Sequence, residues 1–220
     1  MADIVLASSS PRRAERFASA GVRHKIVKPE PDAPIPPGMC AAELEVQLLA
    51  RKKATSVLKQ TAPLTYVIAA DTTVVAPDVK QPFGKPQGDD DARRMLMSLR
   101  GKRHTVFTGI CVLVAGSERE AIGVSSTVVK MRSITDDEIN AYIASGGCFD
   151  KAGAYSIADT DFVEAVNGRV DTVAGLDLTL AFRLLTEAGY PDPLPQPADM
   201  AIAQNRDARR PLMPMRPARV

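Results

Sequence analysis

The sequence predicts a mixed α/β fold, and three observations carry that prediction. Four apolar runs have strand length and strand composition: "IVLA", "TYVIAADTTVVA", "HTVFTGICVLVAG" and "EAIGVSSTVVKMRS". Between and around them lie segments whose apolar residues recur with helical period and whose ends carry capping residues. The chain is also long enough for a sizeable core, with 220 residues of which 45% are hydrophobic. It has no Trp, and aromatics are only 5%, so Val, Leu, Ile, Ala and Met must build that core.

The elements follow in order. Ile4 to Ala7 is a short apolar strand that runs into Ser8, Ser9 and Ser10. Ser10 is a good helix cap and Pro11 a good first residue. Ala14, Phe17, Ala18 and Gly21 then fall at i, i+3, i+4 and i+7. "KPEPDAPIPPG" holds five prolines and reads as an extended loop. A helix is expected from about Ala41 to Lys59, with Val46, Leu49, Ala50, Ala54 and Val57 as its apolar stripe. Lys53 projects into the middle of that stripe, and Lys52 lies on its polar flank.

The run "TYVIAADTTVVA" reads as a buried strand that Asp71 interrupts. "GDDDARRMLMSLRG" reads as a helix with acids in its first turn and Gly101 at its end. The next two strands meet at a turn near Gly116 and Ser117. "TDDEINAYIASGG" has a capping box, Thr135 with Glu138. "TVAGLDLTLAFRLLTEAG" reads as one last helix. The domain is expected over residues 1–190. Residues 191–220 hold seven of the 17 prolines and five Arg, and read as a disordered Pro/Arg-rich tail.

Composition excludes some functions. Net charge is +2, and the tail's five Arg and three Asp account for it, so the body is neutral and no broad nucleic-acid surface is expected. No apolar run is long enough to span a membrane, and Met1-Ala2-Asp3 does not resemble a signal peptide. Cys40, Cys111 and Cys148 have no CxxC spacing and read as free thiols in a reducing cytosol. A cytoplasmic location is therefore expected.

Two features point to chemistry. Arg12 and Arg13 open a helix, where the field of the N-terminus repels cations. A solvated surface pair is one reading. The other is an anion site, in which a strand end, a hydroxyl-rich turn, free helix N–H groups and guanidinium forks bind a polyphosphate. On that reading, removing both arginines leaves the free protein as stable as before, or more so. Asp71 is the second feature, because a carboxylate in an apolar strand needs a compensating cation or metal. It reads either as a turn cap or as a metal ligand or general base. Lys53 and Lys85, in "FGKPQG", are the candidate cations. Asp89, Asp90 and Asp91 read as helix-dipole complements, His24 and His104 as structural, and Asp150 with Lys151 as a loop ion pair.

The segments "LASSSPRR", "LARKKA", "AADTTVV", "FGKP", "SLRGKRHTVFTGICV", "ITDDEINAYIASG", "DKAGAYSI" and "VNG" together resemble the Maf family of nucleotide pyrophosphatases, in family order and over most of residues 4 to 188. The resemblance implies an inosine triphosphatase-like fold: a long mixed central sheet flanked by helices, with two lobes and a cleft. It implies hydrolysis of a nucleoside triphosphate to a monophosphate and pyrophosphate, with Mg²⁺ or Mn²⁺, by a protein that commonly dimerises. The family's catalytic Asp matches Asp71. Its phosphate-binding residues match Ser8, Arg12, Arg13, Lys53 and Lys85, and the neighbouring Ser10 and Thr72 join that set.

This chain departs from the family pattern at three points. Asp32, in "PEPDAP", stands for the usual Glu and is the second expected metal ligand beside Asp71. "YSIADTD" replaces "YGIQG", so Ala158 or Asp159 takes the place of a base-contacting Gln. "NGRVDTVAGLD" replaces "NGSYxxVVGLP". The "SPRR" and "ADT" forms resemble the branch acting on dTTP and UTP, not the one preferring 7-methyl-GTP. A pyrimidine-leaning but relaxed preference over dTTP, UTP and CTP follows. The alternative is a catalytically weak nucleotide-binding regulator linked to cell division.

Overall fold

A computed structural model describes residues 2–31, 41–79 and 81–195. The strands are β1 (Ile4–Ala7), β2 (Lys25–Val27), β3 (Tyr66–Val75), β4 (Arg103–Val114), β5 (Glu120–Met131) and β6 (Val163–Asn167). The helices are α1 (Pro11–Ser19), α2 (Ala42–Val57), α3 (Asp89–Leu99), α4 (Asp136–Ala144), α5 (Val170–Val173) and α6 (Leu178–Glu187). The six strands form one mixed sheet in the order β2-β1-β3-β4-β5-β6. β1 is parallel to both β2 and β3, and the remaining pairs are antiparallel.

The alternation of side chains along the strands sets the layers. Leu6, Ile68, Ala70, Ile110 and Val112 point to one face, where Phe17 of α1 and Leu184 of α6 cover them. Ala7, Val67, Ala69 and Cys111 point to the other face, where Ala50, Ala54 and Val57 of α2 cover them. The far ends of β3, β4 and β5 carry Val74, Val106 and Val129 into a second cluster, with Leu96 and Leu99 of α3 and Ile139 of α4. The three long strands thus run through both lobes, and β3 passes between the lobes around Asp71.

Small residues decide how close α2 comes to the sheet. A Cβ at Gly109 of β4 would lie 2.5 Å from the Val46 backbone carbon and oxygen. Gly109 is paired with Asp71 across the β3–β4 ladder. The helix therefore lies on the sheet backbone next to the cleft.

The strands β2 and β6 were not foreseen. Both are edge strands, and β2, with three residues, is too short to show a period. The expected last helix is broken. Gly175 turns at φ +91°, and Asp177 caps a new helix by accepting from the Leu180 N–H at 3.1 Å. The capping box forms as expected, Thr135 with Glu138, whereas Ser10 makes no side-chain capping bond. Just after Gly189, Tyr190 and Leu194 pack against the core, and Asp192 accepts from the Ala2 N–H at 2.6 Å. Cys111 and Cys148 are free and buried. Among the described residues no helix is long and apolar enough to cross a membrane. Asp32 and Cys40 lie outside the described residues.

Candidate active site

β1 pairs with β3 only from Tyr66 to Ala69. Beyond that point β3 continues without β1, until Val74 bridges to Phe83. The gap opens a cleft of about 600 Å³, within the size range of small-molecule sites. Its floor is Asp71, Thr72 and Thr73; its walls include Ser8 to Ser10, α1, α2 and the segments around Lys85 and Tyr155.

Asp71 faces α2, as do its alternate neighbours Val67 and Ala69. The close seat of α2 at Gly109 brings Lys53 onto it, and the Lys53 ammonium donates to the Asp71 Oδ1. Their side chains are only 17% and 16% exposed. Lys52, next in sequence, is exposed. A lysine in an apolar helix stripe and an aspartate in an apolar strand thus compensate each other.

Thr72 faces the opposite side. Its Oγ1 accepts from Arg13 at 3.0 Å, and Arg13 Nε donates to the Gly175 carbonyl at 2.7 Å. Burial lowers the Arg13 pKa, Asp71 opposes that shift, and Arg12 adds to it. Arg12 bonds to the Asp150 carboxylate at 3.1 Å and to its carbonyl at 3.1 Å. The helix-terminal arginines therefore have partners from distant segments. The expected electrostatic penalty at the helix start is met by tertiary contacts, so these side chains also support the ligand-free fold.

Lys85 lines the same cleft. Burial, then the charges of Arg13 and Lys53, hold its amine below the ordinary lysine range. A set of cations that repel one another across one cavity is a site short of negative charge. Glu45 also lines the cleft, two turns before Lys53 on α2. Burial, then the Asp71 charge, push its carboxyl up.

Of the residues expected from sequence, Ser8, Ser10, Arg12, Arg13, Lys53, Asp71, Thr72, Lys85 and Ala158 all line this cleft. Asp159 is not part of the lining; its carboxylate pairs with Lys151 at 3.4 Å. Among the described residues no group of three or more His, Cys, Asp or Glu gathers as a metal cage. Glu45 was missed, although Glu45, Leu49 and Lys53 fall at i, i+4 and i+8, a spacing that shares one helix face. Tyr155 was missed as a wall residue. Its hydroxyl is 2.8 Å from Nε2 of the buried His104.

Residues 3–188 match the family described as Maf-like protein. The chain is 40% identical over 203 residues to the dTTP/UTP pyrophosphatase of Anaeromyxobacter sp. (strain Fw109-5), covering 90% of this chain and 95% of that one. It is 40% identical over 190 residues to the dTTP/UTP pyrophosphatase of Thermomicrobium roseum, covering 86% and 85%. Among solved structures, a HAM1 protein from Coxiella burnetii is similar at a TM-score of 0.44 and 17% identity, covering 85% of this chain and 100% of that one. The chain belongs to the Maf-like protein family.

Proposed function

We propose that this protein is a nucleoside triphosphate pyrophosphatase that leans towards pyrimidine nucleotides. The observation that carries the reading is the convergence of Arg13, Lys53 and Lys85 around Asp71 in one cleft. The named relatives, dTTP/UTP pyrophosphatases, support the same reading.

In the reaction, a water oxygen bonds to the α-phosphorus and the bond from that phosphorus to the α,β-bridging oxygen breaks. Pyrophosphate leaves, and the water's proton passes to the Asp71 carboxylate. Lys53 fixes the carboxylate on one oxygen, which orients the other. Arg13 and Lys85 take up the charge that accumulates on the leaving pyrophosphate, and Arg12 joins them when it exchanges Asp150 for phosphate oxygen. Ser8 and Ser10, at the end of β1, offer hydroxyls to the same oxygens.

The residues present fit a divalent cation. Asp71 and Glu45 line one cleft, and burial, then the Asp71 charge, raise the Glu45 pKa; a cation between carboxylates relieves that repulsion. Mg²⁺ binds through one or two carboxylates and substrate phosphates. When bound, Mg²⁺ or Mn²⁺ would supply further charge neutralisation, held by Glu45 and substrate phosphates, with Asp71, where it does not act as the base, and Asp32 as further candidates.

Where a base-reading amide is expected, the wall presents Ile157 and Ala158, while Asp159 is engaged by Lys151. Few fixed polar groups remain there to reject a wrong base, so the preference is relaxed. A homodimer in the cytoplasm is part of the same reading. Leu44 and Leu48 on α2 and Ile122 on β5 are exposed apolar residues. The test is kcat/KM for dTTP, UTP, CTP, ITP and 7-methyl-GTP under identical Mg²⁺, with released pyrophosphate as readout. A tenfold lead for ITP or 7-methyl-GTP overturns the pyrimidine assignment, and no pyrophosphate from any nucleotide overturns the reaction.

A further inference from the structure

We propose that Arg16 and Asp171 are positioning residues for Arg13, a role that rests on the phosphate-binding reading of the cleft. Arg13 is held by two acceptors, the Gly175 carbonyl and the Thr72 hydroxyl. Both contact the segment 169–177, of which Val173, Ala174 and Gly175 line the cleft. Gly175 lies in the turn between α5 and α6. Thr72 meets Thr108 at 3.0 Å, and Thr108 donates to the Thr172 carbonyl at 2.7 Å. Whatever fixes this segment therefore fixes the Gly175 acceptor against Thr72, which the β3–β4 ladder already holds.

An ion cluster fixes it. Asp171 is 1% exposed and pairs with Arg16, which lies on α1 close to one turn beyond Arg13. Its other oxygen is 3.2 Å from Arg169. Arg169 also lies 3.2 Å from Asp177, which is 2% exposed and caps α6. Arg16 Nε donates in addition to the Leu176 carbonyl at 3.4 Å. Adjacent carbonyls of one turn, Gly175 and Leu176, are thus gripped by Arg13 and Arg16 of one helix. Arg16 and Asp171 lock α1 to that turn, so the Arg13 guanidinium is aimed before any ligand arrives.

Stability alone does not account for such a cluster. Desolvating two carboxylates is costly, and apolar residues of similar volume do as well or better. What ion pairs supply is a defined register between two elements. Gly175 completes the device: a Cβ there would sit 3.3 Å from the Thr72 hydroxyl and 3.5 Å from Arg13 Nε, on a backbone at φ +91°.

The test is a double-mutant cycle on the full chain with Arg16→Gln and Arg13→Ala. The readouts are binding of α,β-imido-dTTP by calorimetry, the kcat and KM of pyrophosphate release, and thermal unfolding. The expected result is that Arg16→Gln raises Kd and KM about tenfold with a smaller change in kcat, and that the effect disappears when Arg13 is already alanine. Arg16→Lys is expected to restore part of the affinity. An unchanged Kd in Arg16→Gln, or effects that add in the double variant, overturns the proposal. If Arg16→Gln does not fold, Asp171→Asn replaces it in the same cycle with the same criteria. Inorganic pyrophosphate is a second probe. Coupling seen with it in a protein that cleaves no nucleotide sinks the proposed reaction and keeps the positioning role, and loss of coupling in an active enzyme does the reverse.

Discussion

Replacing Gly109 by alanine tests the contact that places Lys53. The added Cβ would lie 2.5 Å from the Val46 carbonyl carbon and oxygen and 2.6 Å from the Gln47 nitrogen, all backbone atoms of α2. Ordinary contact begins near 3.4 Å, so helix and strand must part by about 0.9 Å. No side chain can rotate away to absorb that. Lys53 lies seven residues further along α2, about 10 Å at 1.5 Å per residue. A stiff helix carries the displacement that far, and the Lys53–Asp71 pair opens. Overpacking of this kind costs about 2 kcal/mol, which in a chain of this size lowers Tm by roughly 4–8 °C. A shift near 1 Å in a catalytic group costs up to about 100-fold in rate, so kcat/KM should fall between roughly 10- and 100-fold. Thermal unfolding and pyrophosphate release, each with and without Mg²⁺, measure the two effects. A variant with wild-type Tm shows that α2 does not bear on β4 there. A variant with lowered Tm and wild-type kcat/KM shows that this contact does not place Lys53.

Three further outcomes are expected. Asp71→Asn should fold, melt a few degrees lower because the Lys53–Asp71 ion pair is lost, and lose at least about 100-fold in kcat; comparable turnover in the folded variant removes Asp71 from the chemistry. Replacing both Arg12 and Arg13 by alanine should weaken triphosphate binding and also destabilise the free protein, since the Gly175 carbonyl and the Thr72 hydroxyl lose a half-buried donor; calorimetric unfolding without nucleotide checks this, and an unchanged Tm contradicts it. Burial pushes the His104 imidazole down to about 4, whereas an unfolded histidine titrates near 6.5. The unfolded state therefore binds the proton first as pH falls. The stability that neutral His104 contributes is complete above about pH 6.5 and is lost between about 6.5 and 4, by roughly 3 kcal/mol. Urea unfolding across that window should show a shallower slope in His104→Gln.

Much of the fold was legible because long strands and capped helices leave local marks. The apolar runs of β3, β4 and β5 and the capping box at Thr135 need no tertiary information. The parts that were not legible are those decided elsewhere in the chain. Lys25 to Val27 becomes a strand only because β1 offers it an edge. The last helical stretch keeps an apolar pattern through Val173, Leu176 and Leu180, which hides a break. The break is made by a left-handed Gly175 and by Asp177, which caps a new helix.

The site divides in the same way. Asp71 and Lys53 stood out because each is an ionisable group inside an apolar pattern, and that conflict is visible locally. Glu45 lies in the first turn of α2, where acids are common; only the seating of α2 over Gly109 turns it towards Asp71. Asp159 looked available for a base, until the fold brought Lys151 to it.

The two arginines that open α1 show where local reasoning ends. The helix field repels both, but the fold gives them different work. Arg13 is half-buried and tied to a turn 162 residues away, so it is aimed before ligand arrives. Arg12 pairs with Asp150 where the side chains are 31% and 56% exposed. An exposed pair of this kind contributes about 0–1 kcal/mol, so exchanging Asp150 for a phosphate oxygen costs little. One arginine is therefore fixed and the other exchangeable. On the proposed reaction, a cleft that binds a triphosphate and then releases pyrophosphate has use for both: the fixed one would set the register of the phosphates, and the exchangeable one would return to Asp150 as the product leaves.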